Sequence, residues 1–458
     1  MAKSYYSLDE VLRVAQKHPF YNPDVQFPPH PEDIPQIIKS SDLPNGSNLC
    51  RYRIIKKKDI FDVIQRLATD DSPSNTFRYS SYTSVTGGGW SRGIPMLFLT
   101  DSAENKRQRE TMGAIIKAVG IIEARDWVVN IHVSGYLYRS LDLLTDALEY
   151  AGGTVLCAGS DMSPQMVTDV IQQYRCNCLT GPVTELIKMT HHIASLPTDV
   201  REQVKINKIF YTSEPLSRSQ HDFLTSTFGS SVAIYSGMGS AEAGLWAVAN
   251  PQLTGEPETD AAEFIYDTRT MHVEILPLSN TKQDNAWIEP VPDEEMGIIT
   301  LTSLQRLRNP LVRYDSGDIG SLHPLPLTAQ AQIPADVVEH LKLLRVYGRD
   351  KRFSFSWNSN YFEYTTVHNL MQSEGYGILQ WQIVMGQDQE AGTEYLEIRL
   401  LRDRQQAWLI SDEELVGKIK WAFLVITNPG FRVKFVNDVA GFERSSTGRK
   451  VIRFVDYR

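Results

Sequence analysis

The sequence predicts an α/β fold: a large N-terminal domain of parallel-sheet βαβ layers with a β-rich subdomain, then a small, mobile α+β C-terminal domain. Three observations predict it. Between residues 100 and 240, short apolar and β-branched runs alternate with helical segments, which is typical of a parallel sheet covered on both faces. Beyond residue 260, strand-like segments dominate. A further change near residue 348 predicts domains at 1–347 and 348–458.

The elements follow in order along the chain. Asp101 and Glu104 predict a variant capping box at the start of the first helix of the alternating region. Ser163 and Pro164 predict another helix start, as an N-cap and a first-turn proline. The predicted helices are 101–120, 139–152, 163–174, 183–195, 217–228 and 411–426. The predicted strands are 127–133, 154–157, 176–180, 208–212, 232–235, 271–276, 297–303, 380–385, 394–400 and 432–436.

Composition and charge narrow the classes of function. The net charge of −9 argues against a nucleic-acid partner and against an anionic membrane, since both favour a basic surface. No apolar run approaches the length of a membrane helix, and the first residues lack the apolar stretch of a signal peptide, so we expect a cytoplasmic protein. The four cysteines lack a Cys-x-x-Cys spacing, which argues against zinc and for buried, reduced thiols.

The segment 84–93, Ser-Val-Thr-Gly-Gly-Gly-Trp-Ser-Arg-Gly, is rich in glycine and hydroxyl side chains. Glycines let backbone N–H groups crowd around phosphate oxygens, and hydroxyls add further donors. The segment is not a Walker loop, because no Gly-Lys-Ser/Thr follows, and it does not match the dinucleotide fingerprint. It predicts a phosphate-binding loop, with a plain surface turn as the alternative.

Three further features place a charged side chain in a turn or loop. Glu242 follows the end of a predicted parallel strand, where ligands of open α/β sheets collect, and its carboxylate could hold the Mg²⁺ of ATP. Asp318 stands between glycines and could accept hydrogen bonds from ribose hydroxyls. Lys450 lies in a basic tail and could reach a distant site as a mobile point charge. The plain alternatives are a helix-start glutamate, a turn aspartate and a solvated lysine.

In this order the motifs resemble those of the adenylate-forming superfamily (acyl-CoA synthetases and relatives), and within it the short phenylacetate–CoA ligase branch. The resemblance covers most of the chain from about residue 40. Its most specific part, 310–318, Pro-Leu-Val-Arg-Tyr-Asp-Ser-Gly-Asp, is similar to the branch's Pro-Leu-Ile-Arg-Tyr-x-Thr-Gly-Asp. The segment 212–215, Thr-Ser-Glu-Pro, resembles its Gly-Ala-Glu-Pro adenine-side loop. The last residues resemble its Arg-Ser-x-Gly-Lys…Arg-Val-x-Asp-x-Arg terminus.

The resemblance implies a role for each motif. Glu242 would hold magnesium, and Lys450 would bridge the attacked carboxylate and the α-phosphate, so these two are the implied catalytic residues. Lys351 or Arg352 would be the hinge of the small domain. The implied nucleotide-binding residues are Ser84, Thr86, Gly87, Gly88, Gly89, Ser91, Gly93, Ser213, Glu214, Pro215, Gly239, Ser240, Asp318 and Arg349. The segment 132–138 falls at the branch's acyl pocket, whose implied residues are Tyr136, Tyr138, Tyr235, Gly237 and Met238.

The chain departs from the family pattern at several positions. Where the family's phosphate loop ends Gly-Lys-Pro, this chain has Gly-Ile-Pro at 93–95, with Arg92 nearby. Arg449 adjoins Lys450, so Arg92, Arg449 and Lys450 remain alternatives for the cationic roles. The family's Arg-Gly after the hinge is Trp-Asn at 357–358. Since this face helps to shape the thiol tunnel in relatives, the acceptor stays open between CoA, an amine and a carrier-protein thiol.

The sequence therefore predicts an AMP-forming acid ligase. We expect it to activate an aryl or small organic acid with ATP and Mg²⁺, release pyrophosphate and pass the acyl group to an acceptor, with CoA as the first choice. The expected partners are small molecules, with a carrier protein as an alternative acceptor and a homodimer allowed. Two rival hypotheses stay open. One is a different enzyme in the same fold, which uses AMP transfer to activate an unusual acid or to modify a hydroxyl. The other is a non-catalytic nucleotide-binding homologue, which the altered phosphate loop motivates.

Overall fold

The computed structural model describes residues 5–40, 48–85, 97–135, 137–255, 261–278, 288–349, 354–357, 360–387, 394–403, 408–423, 425, 430–445 and 449–457. The chain forms two compact units. Unit 1 comprises Met1–Asp126, Leu137–Leu156 and Ile234–Asp350, and unit 2 comprises Trp127–Tyr136, Cys157–Ala233 and Lys351–Arg458. The predicted domain boundary at 347/348 stays a prediction.

The helices, in chain order, are α1 (Leu8–Ala15), α2 (Ile34–Ile37), α3 (Lys57–Thr69), α4 (Ser102–Ala118), α5 (Ser140–Tyr150), α6 (Pro164–Tyr174), α7 (Val183–Ser195), α8 (Thr198–Arg201), α9 (Arg218–Phe228), α10 (Pro251–Thr254), α11 (Leu327–Gln332), α12 (Ala335–Val338), α13 (Tyr364–Met371) and α14 (Asp412–Ala422). The strands are β1 (Ser81–Val85), β2 (Leu97–Asp101), β3 (Trp127–Asn130), β4 (Ser134–Gly135), β5 (Tyr138–Arg139), β6 (Thr154–Cys157), β7 (Cys178–Pro182), β8 (Lys208–Thr212), β9 (Ala233–Ser240), β10 (Gly244–Ala249), β11 (Ala262–Asp267), β12 (Met271–Leu276), β13 (Gly297–Ser303), β14 (Tyr314–His323), β15 (Leu341–Arg349), β16 (Ser354–Trp357), β17 (Asn360–Glu363), β18 (Ile378–Gln387), β19 (Glu394–Arg402), β20 (Phe431–Phe435) and β21 (Phe454–Asp456).

The predicted alternation of strands and helices is confirmed, and local capping chemistry explains several helix starts. Asp101 caps α4, because its carboxylate accepts from the N–H groups of Ala103 and Glu104 at 2.9 and 3.0 Å. The second half of the predicted capping box is wrong. The Glu104 carboxylate accepts from the backbone N–H of Leu307 at 3.0 Å, a tertiary partner that the local pattern does not reveal.

Unit 1 contains a run of antiparallel strands in the order β12-β13-β14-β15-β11-β10-β9. One apolar cluster packs against it and includes Phe98, Trp246, Ile299 and Leu344. Full burial of each such side chain contributes about 1.5–3 kcal/mol. The packed sheet therefore supports the β9–β10 turn, which contains Glu242, and the glycine-flanked part of β14, which contains Asp318.

Unit 2 contains the parallel part of the predicted fold. β7 pairs in parallel with β3 on one side and with β8 on the other. Every residue of β7 is buried, as expected for a strand covered on both faces. The carboxyl ends of β7 and β8 meet at one edge, so the start of α7 and the segment 212–215 lie close together.

Unit 2 also contains a small mixed sheet with the strand order β20-β19-β18-β21. β18 and β19 are antiparallel, whereas β20 and β21 join the sheet in parallel. Its core includes Trp381, Ile398, Leu415 and Phe423, so α14 buries one face against the strands. The fold class predicted from the sequence, with a large sheet and a separate smaller α+β sheet, is confirmed.

The cysteines follow the prediction in part. All four are thiols, and Cys176 and Cys178 are buried as expected. Cys50 is half-buried and Cys157 is exposed, so burial of the thiols was wrong for Cys157, which ends β6 on a surface-facing position. Among the described helices, none is both long and apolar enough to cross a bilayer.

Candidate functional site

The first residue of the predicted phosphate loop, Ser84, contacts the segment 239–242, Gly-Ser-Ala-Glu, which ends in Glu242. Ser84 lies on β1, which pairs with β2, and its Oγ is 2.8 Å from the carbonyl oxygen of Ala241 and 3.2 Å from that of Phe98. This contact joins two predicted motifs that are 157 residues apart in sequence. The remaining predicted residues of the loop, Thr86, Gly87, Gly88, Gly89, Ser91 and Gly93, lie outside the described residues.

Gly239 and Ser240 shape a tight turn between β9 and β10. A Cβ on Gly239 would stand 2.5 Å from the carbonyl oxygen of Gly244, so only glycine fits without a backbone shift. Ser240 Oγ accepts from the N–H of Ala243 at 3.0 Å and steadies the turn. Both residues therefore have a structural task, and their predicted contact with nucleotide stays a prediction.

Glu242 is held by basic groups on two sides. Its side chain is 7% exposed, and Oε1 lies 3.6 Å from Lys57 Nζ. Its backbone carbonyl accepts a hydrogen bond from the fully buried guanidinium of Arg306. Burial lowers the pKa of Arg306 to about 10, while the negative charges of Glu104 and Glu242 act in the opposite direction. Arg306 thus fixes the Glu242 backbone, and the carboxylate points to Lys57.

Lys57 contacts the candidate site residue Glu242, and the sequence analysis did not single it out. It begins α3, two residues after Ile55, and Ile55 forms a parallel bridge with Tyr314 at the start of β14. The N–H of Asp315 donates to the Ile55 carbonyl at 2.9 Å. Lys57 therefore links Glu242 to the segment 313–318. The available signal was the basic run 56–58 after two isoleucines, which alone has no specificity.

The segment 313–318 combines a buried ion pair at Arg313 with a half-buried strand position at Asp318. Arg313 is buried and donates to Glu274 through two bonds of 3.0 Å, so it belongs to the interior of unit 1. Asp318 is half-buried in β14, and its backbone N–H donates to Ser316 Oγ at 3.1 Å. Asp318 stands opposite Arg349 in the β14–β15 register, so two predicted ribose ligands are cross-strand neighbours.

The predicted acid-pocket residues of unit 1 make packing contacts. Tyr235 is 3% exposed and its hydroxyl lies 3.4 Å from Gln252 Oε1. Gly237 is buried opposite Val248, and Met238 packs against the apolar cluster of unit 1. Tyr138 is half-buried on β5. Tyr136 and the predicted hinge residues, Lys351 and Arg352, lie outside the described residues.

In unit 2 the predicted catalytic lysine reaches the predicted adenine-side loop. Lys450 Nζ lies 3.4 Å from the carbonyl oxygen of Ser213, which is 237 residues away in sequence. Ser213 has a positive φ of 80°, in the left-handed region, and this strained backbone presents its carbonyl. Glu214 accepts from the N–H and Oγ1 of Thr184 at 3.0 and 2.8 Å and so caps the start of α7. Through these two hydrogen bonds Glu214 attaches the segment 212–215 to the start of α7.

His132 supports the same loop, a role that the sequence analysis did not assign. Its ring is buried, with Nδ1 2.8 Å from Asn130 Oδ1 and Nε2 2.9 Å from Thr212 Oγ1. Burial and, to a smaller extent, the positive charge of Lys450 together lower the pKa of His132 to about 3. The imidazole is therefore neutral, and it orients Thr212 as a hydrogen-bonding group.

Magnesium needs little from the protein. No group of three His, Cys, Asp or Glu side chains that could hold a metal occurs within the described part of the chain. Mg²⁺ bound with ATP takes one or two carboxylates, phosphate oxygens and waters, so a single nearly buried carboxylate suits it. Glu242 fits that requirement, because the only cation within 4 Å of its carboxylate among the described residues is Lys57 at 3.6 Å, and this pair is a long one.

The fold is similar to that of solved CoA ligases. No protein-family model and no curated sequence matches the chain. The structure of 2-hydroxyisobutyryl-CoA ligase with 2-HIB-AMP, in the postadenylation state, is similar at a TM-score of 0.64 and 17% identity, covering 98% of this chain and 88% of that chain. An open conformation of the same ligase with 2-HIB-AMP and CoA gives a TM-score of 0.55 at 16% identity, covering 98% and 90%. The ATP-bound RpMatB-BxBclM chimera B3 gives 0.50 at 13% identity, covering 81% and 66%. At these identities the likeness establishes the fold.

Proposed function

We propose that this chain, which has the fold of the adenylate-forming acyl-CoA ligases, uses ATP to convert a carboxylic acid into an acyl-adenylate. The observation that carries the proposal is the contact between Lys450 Nζ and the Ser213 carbonyl oxygen. This contact joins a cation of the tail to the loop that the resemblance assigns to adenine.

The chemistry explains the need for this cation. A carboxylate oxygen attacks the α-phosphorus of ATP, an acyl–phosphate bond forms, and the bond to the leaving pyrophosphate breaks. Because two anions must approach, positioning and neutralisation of charge supply most of the acceleration. Lys450 would neutralise the carboxylate and the α-phosphate, and Lys57 beside Glu242 is a second cation for the phosphates.

The other roles follow the order of the motifs. Asp318 and Arg349, neighbours across β14 and β15, would bind the two ribose hydroxyls. The glycine-rich segment 84–93 would cradle the β- and γ-phosphates. Glu242 would hold Mg²⁺, which neutralises phosphate charge when bound.

The finer assignments rest on the resemblance. We assign the chain to the phenylacetate–CoA ligase-like branch, with an aryl or small organic acid as substrate and the cytoplasm as location. In the second half-reaction the thiol sulfur of CoA attacks the acyl carbon, a thioester forms and AMP leaves. Rotation of 348–458 about Lys351 or Arg352 would withdraw Lys450 between the two steps. An amine or carrier-protein thiol remains the alternative acceptor.

Acid-dependent exchange of labelled pyrophosphate into ATP tests the first half-reaction. A panel of aryl and short aliphatic acids should yield exchange with at least one acid, and Lys450→Ala should abolish it. Lys420→Ala, an exposed lysine on α14 of the same unit, is the matched control and should exchange normally. Absence of exchange with every acid would favour the non-catalytic alternative, and full exchange in Lys450→Ala would remove that lysine from the mechanism. Mass spectrometry of products with and without CoA identifies the acceptor.

A further inference from the structure

The tail that carries Lys450 forms a small hairpin, here called the Lys450 hairpin and defined by Arg444, Ser445, Arg449, Lys450 and Val451. Arg444 and Val451 form an antiparallel bridge. The N–H of Arg449 donates to the Ser445 carbonyl at 3.0 Å, and the N–H of Lys450 donates to Ser445 Oγ at 3.1 Å. The hairpin is thus ordered by its own backbone, and Val451 anchors it in an apolar cluster of unit 2.

Three basic side chains of the hairpin contact three different segments of unit 2. Arg444 Nη1 lies 3.5 Å from Glu185 Oε1, near the start of α7. Arg449 forms an ion pair with Asp161, which follows β6 in sequence, and its Nη1 is 3.5 Å from Ser160 Oγ. Lys450 contacts Ser213, as described above. The first two contacts are ion pairs, whereas the third places an ammonium group against a neutral carbonyl.

This difference separates the two adjacent cations that the sequence left as alternatives. The guanidinium of Arg449 faces the carboxylate of Asp161, which neutralises its charge locally. The ammonium group of Lys450 contacts a neutral carbonyl oxygen, that of Ser213, and its charge acts on the buried ring of His132. Of the two, Lys450 therefore has the charge that can act on an anionic substrate. The charge of Arg449 instead holds the Lys450 hairpin to Asp161.

The backbone of Arg449 also indicates that docking holds it in place. Its φ is +50°, in the left-handed region, which a residue with a side chain adopts at a cost. In the family motif, glycine comes directly before lysine. In this chain Arg449 stands between Gly448 and Lys450. From this backbone position the Arg449 side chain reaches Asp161.

We propose that Arg449 and Asp161 are positioning residues that hold Lys450 at Ser213 for adenylation and release it for the second half-reaction. The proposal rests on the proposed function. Asp161 is 69% exposed and Arg449 22%, and ion pairs of this kind are weak and screened by salt. A weak pair suits a contact that must break in each catalytic cycle, because a strong one would trap the enzyme after adenylation.

Hydrogen–deuterium exchange of the ligand-free protein tests the docking without any need for activity. In Asp161→Asn, exchange of the Arg449 and Lys450 amides should rise about fivefold, which is the size expected for loss of an exposed ion pair. The charge-swapped protein, Asp161→Arg with Arg449→Asp, should recover the protection, since aspartate tolerates a left-handed backbone. Asp199→Asn, an exposed acid on α8, is the control and should leave these amides unchanged. Unchanged amides in Asp161→Asn would overturn the docking role.

The two half-reactions test the positioning role. In Asp161→Asn, pyrophosphate exchange should fall about fivefold at low salt, and this difference from the native protein should shrink as salt is added. Formation of thioester from supplied acyl-adenylate and CoA should stay at the native rate. Equal losses in both half-reactions would make Asp161 a residue of general structural importance and sink the proposal. If the native chain exchanges no pyrophosphate with any acid, the proposed function fails, while the amide exchange still decides whether the ion pair docks the hairpin.

Discussion

Removal of one partner from the buried ion pair between Arg313 and Glu274 should cost much stability and little nucleotide affinity. Arg313 belongs to the motif most specific for the resemblance, but its side chain is 1% exposed. Its guanidinium donates two bonds of 3.0 Å to Glu274 and further bonds to the carbonyls of Tyr52 and Ile288 at 3.0 and 2.8 Å. The perturbation is Arg313→Met, which keeps a long side chain and removes every side-chain donor.

The magnitude follows from what the substitution leaves behind. Removal of one partner from a buried pair costs about 3–5 kcal/mol, because the other charge stays buried without compensation. That is a large share of a total stability on the order of 5–15 kcal/mol. Burial raises the pKa of the Glu274 carboxyl and Arg313 lowers it, so the loss of Arg313 raises this pKa further. Because a raised pKa favours the protonated, uncharged carboxyl as the pH falls, the variant should lose less stability near pH 5 than at about pH 8.

Urea unfolding at both pH values measures the effect. The double variant, Arg313→Met with Glu274→Met, should recover about 2 kcal/mol or more relative to the sum of the single losses. Arg313→Lys is the matched control, which keeps the charge and loses the paired donors. A urea midpoint unchanged in Arg313→Met, or strictly additive losses, would refute the argument. A large loss of ATP affinity at unchanged stability would instead make Arg313 a nucleotide ligand.

Three further predictions concern unit 1. Burial raises the pKa of Glu104 to about 7, so the stability that its protonated form supports is lost as pH rises from 4.5 to 7. Glu104→Gln should therefore gain up to about 3 kcal/mol above pH 7 and little below pH 4.5, and parallel pH–stability curves would contradict this. Gly239→Ala should lower the free energy of unfolding by about 1–3 kcal/mol in calorimetry, because the added Cβ would clash with Gly244. An unchanged melting temperature would show that the turn relaxes and would contradict this prediction. Asp318→Ala should weaken ATP binding about tenfold at unchanged stability, and an undiminished calorimetric affinity would remove Asp318 from the site.

Local chemistry made much of the fold predictable. The strands around β7 are short apolar runs, and helix starts such as Ser163 carry their own capping side chain, which accepts from Met166 at 3.3 Å. These signals depend on residues within one turn or one strand. Where a longer-range partner competed, the local pattern failed, as Glu104 shows by bonding to Leu307 instead of completing its capping box.

The candidate site divides in the same way. The motifs at Ser84, Glu242, Asp318 and Lys450 were recognisable because each combines small or flexible residues with a charge suited to ATP. Their packing functions were not recognisable. Arg313, in the most specific motif, proves to be an interior residue, since nothing in its neighbours announces the distant Glu274.

The amino-acid sequence alone determined the order of elements, the α/β class and the candidate chemistry, because periodicity, caps and residue type are properties of neighbouring residues. Tertiary structure alone decided which groups meet. It brought Ser84 to Ala241, Lys57 to Glu242 and Lys450 to Ser213 across long separations in sequence. It also left Arg449 beside Asp161 and so distinguished two adjacent cations. The charge and length of a side chain follow from the residue type. The partner of that side chain depends on how strands and helices far apart in the chain pack together.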